Sequence, residues 1–358
     1  MVKVKDVKIV VGLNYGDEGK GLMVDYFSRQ AILKGDDVLN VLSNGSAQRG
    51  HTVQLLDGER HVFKHLGSGT FAGADTYFPA QFLVNPIEFN KEYEVFYPYC
   101  RCHKDCVVVT PYHMMLNQAK EKIQRHGSCG MGVWEATQFP MLKVYDLEDC
   151  SIPNLIDILR EIRFTLGYRE NLPEIYWTDS LLYSFLYDCC CFIDRVKVVS
   201  NDLEGITGYN TIIFENGQGL LLDQKLPDKD HLTPSNTDLT NPKEILRKAR
   251  VGEDVVKTCY VTRSYMTRHG NGPFPTECNK EEISGLIGED KTNRPNEWQG
   301  SLRYGKLDDF TNRIERFGKT SLAITHMNEH QIHLPDGFDE IYLSDGFTRE
   351  SVTPQINT

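Results

Sequence analysis

NYGDEGKG, residues 14–21, follows the apolar run Val7-Lys8-Ile9-Val10-Val11 and precedes a segment, 19–34, that sets Leu22, Val24, Phe27, Ile32 and Leu33 on one helical stripe. A strand, a glycine-rich turn and a helix in that order bring backbone N–H groups to an anion at a helix N-terminus. Gly16, Gly19 and Gly21 open the backbone to such an anion, and Lys20 supplies positive charge. A Walker A loop needs glycine at position 14 and a hydroxyl at 21. Asn14 and Gly21 stand there, so the stretch is a relative of that loop. Asp17 and Glu18 put negative charge where phosphates would sit. Asp17 suits either Mg²⁺ binding or proton abstraction from a bound substrate. Glu18, read alone, only favours the helix N-terminus electrostatically.

Working outward, β-branched runs predict strands at 7–12, 107–110, 195–200, 211–215, 259–264 and 320–325. Amphipathic spacing predicts further helices at 112–125 and 153–164. Alternating strands and helices imply an α/β fold with a largely parallel central sheet and flanking helices. Glycine turns at Gly12–Gly16, Gly217–Gly219 and Gly270–Gly272 are expected to converge on one crevice, because open α/β sheets bind ligands beyond the carboxyl ends of their strands. There is no internal repeat or low-complexity segment.

The 358 residues carry a formal charge of −11, against wrapping nucleic acid but compatible with a local pocket for small anions. No apolar run approaches a membrane span, and the N-terminus lacks a signal-peptide layout, so a cytoplasmic location is expected. Ten cysteines in that setting are expected to stay reduced. Cys100, Cys102, His103 and Cys106 cluster as YCRCHKDC without a second ligand pair at zinc-finger spacing. Cys189, Cys190 and Cys191 read as core.

GDEGKG, followed about thirty residues later by Gly50-His51-Thr52, resembles the adenylosuccinate synthetase family. FENGQGLLLD (214–223), LTPSNT (232–237), TRHGNGPFPTE (267–277) and LRYGKLD (302–308) resemble further motifs of that family in the same order. The resemblance runs from residue 7 to about 330. It implies the P-loop-like fold of that family as one catalytic domain over 1–358, with a helical insert around 130–190. It implies a ligase that phosphorylates the 6-oxygen of a purine monophosphate and then displaces the phosphate with the amine of L-aspartate. The carboxylate in the loop then has a purpose: the 6-oxygen attacks only once the N1 proton is removed. Asp17 matches the general base, His51 the acid, and Lys20 the phosphate-neutralising lysine. Asp17 and the Gly50 carbonyl match Mg²⁺ ligands. Gly16, Glu18, Gly19, Gly21, Gly50 and Thr52 match the nucleotide-phosphate shell. Asn14, Gln48, Ser128, Cys129, Gln218, Thr233 and Arg268 match the purine monophosphate site. Thr292, Asn293, Gly300 and Arg303 match the aspartate site. A homodimer is implied, with 85–106 and 130–190 as interface candidates.

The sequence also departs from the family pattern. Chains of the family are usually longer, and the short form resembles archaeal and phage members. The guanine-reading TKLD is replaced by ITHMNE, so Asn328 stands in for the aspartate, which points to ATP or dATP as donor. GSCGMGVWEAT (127–137) replaces a threonine-rich phosphate segment, and the arginine that family dimers donate across the interface has no match. Gln48 replaces an asparagine. These changes resemble the phage PurZ branch, which joins aspartate to dGMP on the way to diaminopurine DNA. Many members of that branch carry serine at the base position, whereas this chain keeps Asp17. A synthetase acting on IMP with GTP, and a non-catalytic nucleotide-binding module, are the competing readings.

Overall fold

The computed structural model describes residues 3–124, 127–149, 151–170, 178–228, 231–290, 293 and 300–355. Its strands are β1 (Asp6–Gly12), β2 (Val38–Leu42), β3 (His51–Gln54), β4 (Arg60–Phe63), β5 (Asp75–Phe78), β6 (Cys100–His103), β7 (Val196–Val199), β8 (Thr211–Glu215), β9 (Val256–Arg263), β10 (Met266–Arg268), β11 (Arg303–Gly305), β12 (Lys319–Thr325), β13 (Glu340–Ser344) and β14 (Val352–Gln355). The helices are α1 (Lys20–Leu33), α2 (Pro86–Phe96), α3 (Pro111–Gln124), α4 (Val133–Gln138), α5 (Val144–Asp149), α6 (Ile152–Glu170), α7 (Asp179–Arg195), α8 (Asp202–Ile206), α9 (Thr240–Lys248) and α10 (Lys280–Ile283).

Ten strands form one sheet in the order β14-β13-β12-β9-β1-β8-β2-β5-β6-β7, parallel throughout except for the edge strand β14. Strands covered on both faces are buried at most positions and dominated by apolar residues, as β1, β2 and β8 are. On one face of the centre, Val10 and Ile213 pack against Val24 and Phe27 of α1. The other carries Ile9, Val11, Phe214, Tyr260 and Leu322. A third cluster gathers α2, α3, α6 and α7 around Phe78, Phe89, Phe185 and Phe192 at the β6 end of the sheet.

The expected strands at 7–12, 195–200, 211–215, 259–264 and 320–325 are β1, β7, β8, β9 and β12. The stretch 107–110 is not a sheet strand: it makes only isolated bridges, Val107 to Lys143 and Val108 to Val84. Its apolar run is buried among helices instead. Cys100 and Cys102 lie on β6, buried with Cys106, and burial raises the thiols of Cys100 and Cys102 well above their ordinary range. Cys190, in contrast, is exposed on α7.

Candidate active site

The carboxyl ends of β1, β2, β8, β9 and β12 meet at one edge of the sheet, and the loop after β1 lies across them. Each neighbouring strand end holds part of that loop. Asn14 Nδ2 donates to Thr262 Oγ1 on β9 at 3.0 Å, and Arg313 donates to Asn14 Oδ1 at 2.9 Å. Arg263, ending β9, donates to the Asp17 carbonyl at 2.5 Å. Thr325, ending β12, donates to the Glu18 carbonyl at 2.8 Å. The Glu18 carboxylate turns back into the loop, accepting from the N–H groups of Asn14 (2.8 Å) and Gly16 (2.9 Å) and pairing with Lys20 at 3.1 Å. A Cβ on Gly12 would lie 2.3 Å from that carboxylate, so the end of β1 must be glycine. Gly21 is likewise fixed by contact: a Cβ there would meet the Thr52 carbonyl at 3.0 Å and His51 Cβ at 3.1 Å. That close packing explains why no hydroxyl residue follows Lys20.

Two clefts open on either side of this loop. One, of about 220 Å³, runs along Glu18–Leu22, Thr52, Arg263, Tyr265, His326, Glu329 and Phe347. The other, of about 780 Å³, is walled by Gly16, Gln48, Ser128, Cys129, Gln218, Thr233, Arg268 and Gly270. Asp17, Lys20, Gly50, His51 and Asn293 belong to both walls. The three glycine turns do converge, since Gly16, Gln218 and Gly270 all line the larger cleft. Its positive charge comes from Lys20, Arg49, Lys64, Lys120 and Arg268.

His51 begins β3, and its Nδ1 hydrogen bonds to Glu215, the last residue of β8. Glu215 is wholly buried and also accepts from the Ser68 amide at 2.9 Å and from the Ser68 hydroxyl, with Arg49 at 3.5 Å. Burial opposes its charge, but Arg49, His51 and Ser68 together hold the carboxyl down at about 2. A carboxylate on Nδ1 fixes the ring tautomer and leaves Nε2 as the free nitrogen. Burial, set against the pull of Glu215, pushes His51 down to about 4, so the ring is neutral at physiological pH in the free protein.

Several expected site residues are placed elsewhere. Asn14 is 1% exposed, and its side chain is used within the loop scaffold, so it does not line the larger cleft. Glu18 is 2% exposed: its carboxylate braces the loop and Lys20, while the residue lines the smaller cleft beside Gly19. Asn328 is exposed and off both walls: His326, at φ 61°, starts a turn closed by Glu329 N–H to His326 O, which sends 328 outward and turns 326 and 329 to the smaller cleft. Arg303 is off both walls too, held by Glu277 through Nε at 2.8 Å and by the Gly272 carbonyl at 2.9 Å. A substrate carboxylate would compete with Glu277 for the Nε and Nη2 edge of this guanidinium. Gly300 is exposed and lines neither cleft. Thr292 lies outside the described residues. Glu215, Arg263, Tyr265 and Glu329 were not singled out from sequence. For Glu215 a signal existed: it closes a strand immediately before Asn216-Gly217-Gln218-Gly219.

Comparison with known proteins agrees with this architecture. A family model described as adenylosuccinate synthetase matches residues 9–352. An adenylosuccinate synthetase of Coxiella burnetii is 27% identical over 76% of this chain and 65% of its own length. One from Nitrosomonas europaea is 26% identical over 95% of this chain and 79% of its own. The chain thus spans 65% of the length of curated relatives such as those of Coxiella burnetii and Limosilactobacillus fermentum. Among solved structures, fully ligated adenylosuccinate synthetase from Plasmodium falciparum superposes with TM-score 0.71 at 18% identity, covering 98% of this chain and 87% of that one. The cyanophage S-2L succinoaminodeoxyadenylate synthetase PurZ, bound to dGMP and dATP, superposes with TM-score 0.68 at 17% identity, covering 98% and 95%. At those identities the superpositions establish the shared fold. Among the described residues no helix is long and apolar enough to cross a membrane.

Proposed function

The chain belongs to the adenylosuccinate synthetase family of carbon–nitrogen ligases, and we propose that it joins L-aspartate to carbon 6 of a purine monophosphate, driven by a nucleoside triphosphate. The observation that carries this reading is the pair of clefts sharing Asp17, Lys20, Gly50 and His51. A triphosphate in the smaller cleft and a monophosphate in the larger one bring the γ-phosphate to the purine 6-oxygen at those residues. Asp17, whose side chain is 25% exposed, faces the junction and takes the N1 proton. Lys20 offsets phosphate charge. His51 reaches the transferring phosphoryl group through Nε2. Because the free ring is neutral, its proton arrives with the anion, whose charge favours the imidazolium. The Asp17 carboxylate and the Gly50 carbonyl are hard oxygen donors that fit Mg²⁺ completed by substrate phosphates. When bound, that ion offsets charge on the phosphates.

The monophosphate we propose is dGMP. Hypoxanthine presents N1–H on this edge, whereas guanine adds a 2-amino donor. Gln48 has both side-chain polar atoms buried without a hydrogen-bond partner, and Gln218 Oε1 is in the same state. The two amides flank Gly45 on the wall of the larger cleft. Buried amides without partners favour a ligand that supplies the missing donor. ATP or dATP is proposed as phosphoryl donor by analogy with the phage neighbour and not through Asn328. A homodimer formed by 85–106 and 130–190 belongs to the same proposal.

The test is product analysis with purified protein, L-aspartate and Mg²⁺. IMP, AMP, GMP and dGMP are crossed against ATP, dATP and GTP, and the succino-purine is followed by mass. Product from dGMP with an adenine donor is the expected result. Product from IMP with GTP alone would discard the specificity reading and leave the Asp17–His51 chemistry standing.

A further inference from the structure

Arg263 closes β9 with its side chain 6% exposed, and it makes three separate contacts. Nε donates to the Asp17 carbonyl at 2.5 Å. Nη1 lies 3.4 Å from the Tyr265 hydroxyl. Nη2 donates to Asp290 Oδ2 at 3.0 Å. The first contact falls on a residue with a special backbone. Asp17 sits at φ 58°, in the left-handed region that a side chain with a Cβ occupies only when its surroundings hold it there. The third contact leads away from the loop. Asp290 accepts from both the backbone N–H and the Nδ2 of Asn293, each at 3.0 Å. Burial opposes the charge of Asp290, yet Arg263 and Asn293 hold its carboxyl well below the ordinary range. Asn293 lines both clefts, at their junction.

A continuous hydrogen-bonded path therefore runs from Asn293 through Asp290 and Arg263 to the peptide that aims Asp17. We propose that Arg263 is a positioning residue that makes the geometry of Asp17 depend on the hydrogen-bonded pair Asp290 and Asn293, so that phosphoryl transfer is fastest when the amino-acid side of the site is filled. This rests on the reading above of Asp17 as the base and of Asn293 as part of the aspartate side. The physical reason is the fork of the guanidinium: only arginine spans a carbonyl and a carboxylate in fixed relative orientation. Lysine reaches one or the other. Such coupling lets the triphosphate be committed when the acceptor amine is present.

The experiment separates phosphoryl transfer from ligation. Positional oxygen exchange within the triphosphate is measured with the monophosphate bound, with and without succinate, which has the carboxylates of aspartate and no amine. In the unmodified protein succinate accelerates exchange severalfold. Arg263→Lys and Arg263→Gln lower kcat by about 100-fold, the scale of a misplaced catalytic group, with the KM for the monophosphate, whose cleft Arg263 does not line, changed less than threefold. Asp290→Asn, at a partly exposed side chain that leaves the core intact, abolishes the succinate effect. The double variant Arg263→Gln/Asp290→Asn is no slower than Arg263→Gln alone, because both cut one path. Multiplying losses, or a succinate effect that survives Asp290→Asn, would overturn the positioning role while exchange itself upholds the function. No exchange and no ligation in the unmodified protein, with any nucleotide pair, would remove the function and this inference together.

Discussion

Replacing Glu215 with glutamine keeps the shape of the side chain and removes its charge from the centre of the buried cluster. The carboxyl is held at about 2 against an ordinary 4.5, which corresponds to about 3 kcal/mol of preference for the charged form. A second route gives a similar figure. The variant leaves the Arg49 guanidinium, 3% exposed, with the Leu66 carbonyl at 2.8 Å and no carboxylate, and stranding one member of a buried pair costs about 3–5 kcal/mol. Urea unfolding at pH 7 should therefore show Glu215→Gln destabilised by about 3–5 kcal/mol with an unchanged m-value. The sign with pH follows from the depressed carboxyl. Its stabilisation is complete above 4.5 and is lost as pH falls toward 2, so the gap between the two proteins is constant from about pH 7 to 5 and narrows below. Turnover should fall by about 10²-fold or more, because glutamine no longer stabilises an imidazolium at His51. A variant within about 0.5 kcal/mol of the parent, the range of an ordinary surface change, would refute the charge accounting for this cluster.

Asp17→Asn should lower turnover by about 10²–10⁴-fold, the usual range for a lost general base, while calorimetry shows monophosphate binding retained; full turnover would remove Asp17 as base. Gly21→Ala should destabilise by about 1–3 kcal/mol through overpacking against His51 and the Thr52 carbonyl, read by thermal unfolding alongside a fall in kcat. Burial pushes His51, His65 and His113 each down to about 4 from 6.5. The unfolded chain therefore binds more protons than the native one, and stability drops as pH falls from 6.5 to 4, by up to about 3 kcal/mol per histidine. His113→Gln should flatten that slope in an acid titration of the unfolding free energy. Asn328→Ala should leave the KM for the triphosphate within twofold, whereas Glu329→Gln, on the donor wall, should change it; steady-state kinetics with ATP and GTP decide between them.

Local pattern was enough for half of the sheet: β1, β7, β8, β9 and β12 were expected, whereas β2, β5, β6, β13 and β14 were not. β1, β8, β9 and β12 are buried along most of their length, so each carries a β-branched or apolar core of three or more residues that can be recognised without its partner. Short or half-polar strands such as β3, β4, β10 and β11 carry too few residues for a period to register. The run at 107–110 shows the converse: an apolar stretch of strand composition that the fold buries without pairing it into the sheet.

At the site, the glycines, Lys20 and Asp17 were legible because backbone approach and phosphate chemistry restrict residue type at fixed spacing, whereas His51 was singled out only through the family resemblance of Gly50-His51-Thr52. The sequence alone also established that the loop could not be a Walker A, since Asn14 and Gly21 are written in it. Which way each polar side chain faces was decided by tertiary contact. Glu18 and Asp17 are neighbours of like charge. One is turned inward because Gly12 leaves space beneath it and two loop N–H groups await an acceptor. The other is turned outward because Arg263, more than two hundred residues later, holds its peptide in the left-handed region. One turn at His326 exchanges the facing of Asn328 and Glu329. Arg303 is engaged by Glu277, and Glu215 becomes the partner of His51 only because β8 ends beside the start of β3. Residue type sets what chemistry is available, and packing between distant segments sets which of those groups meets the ligand.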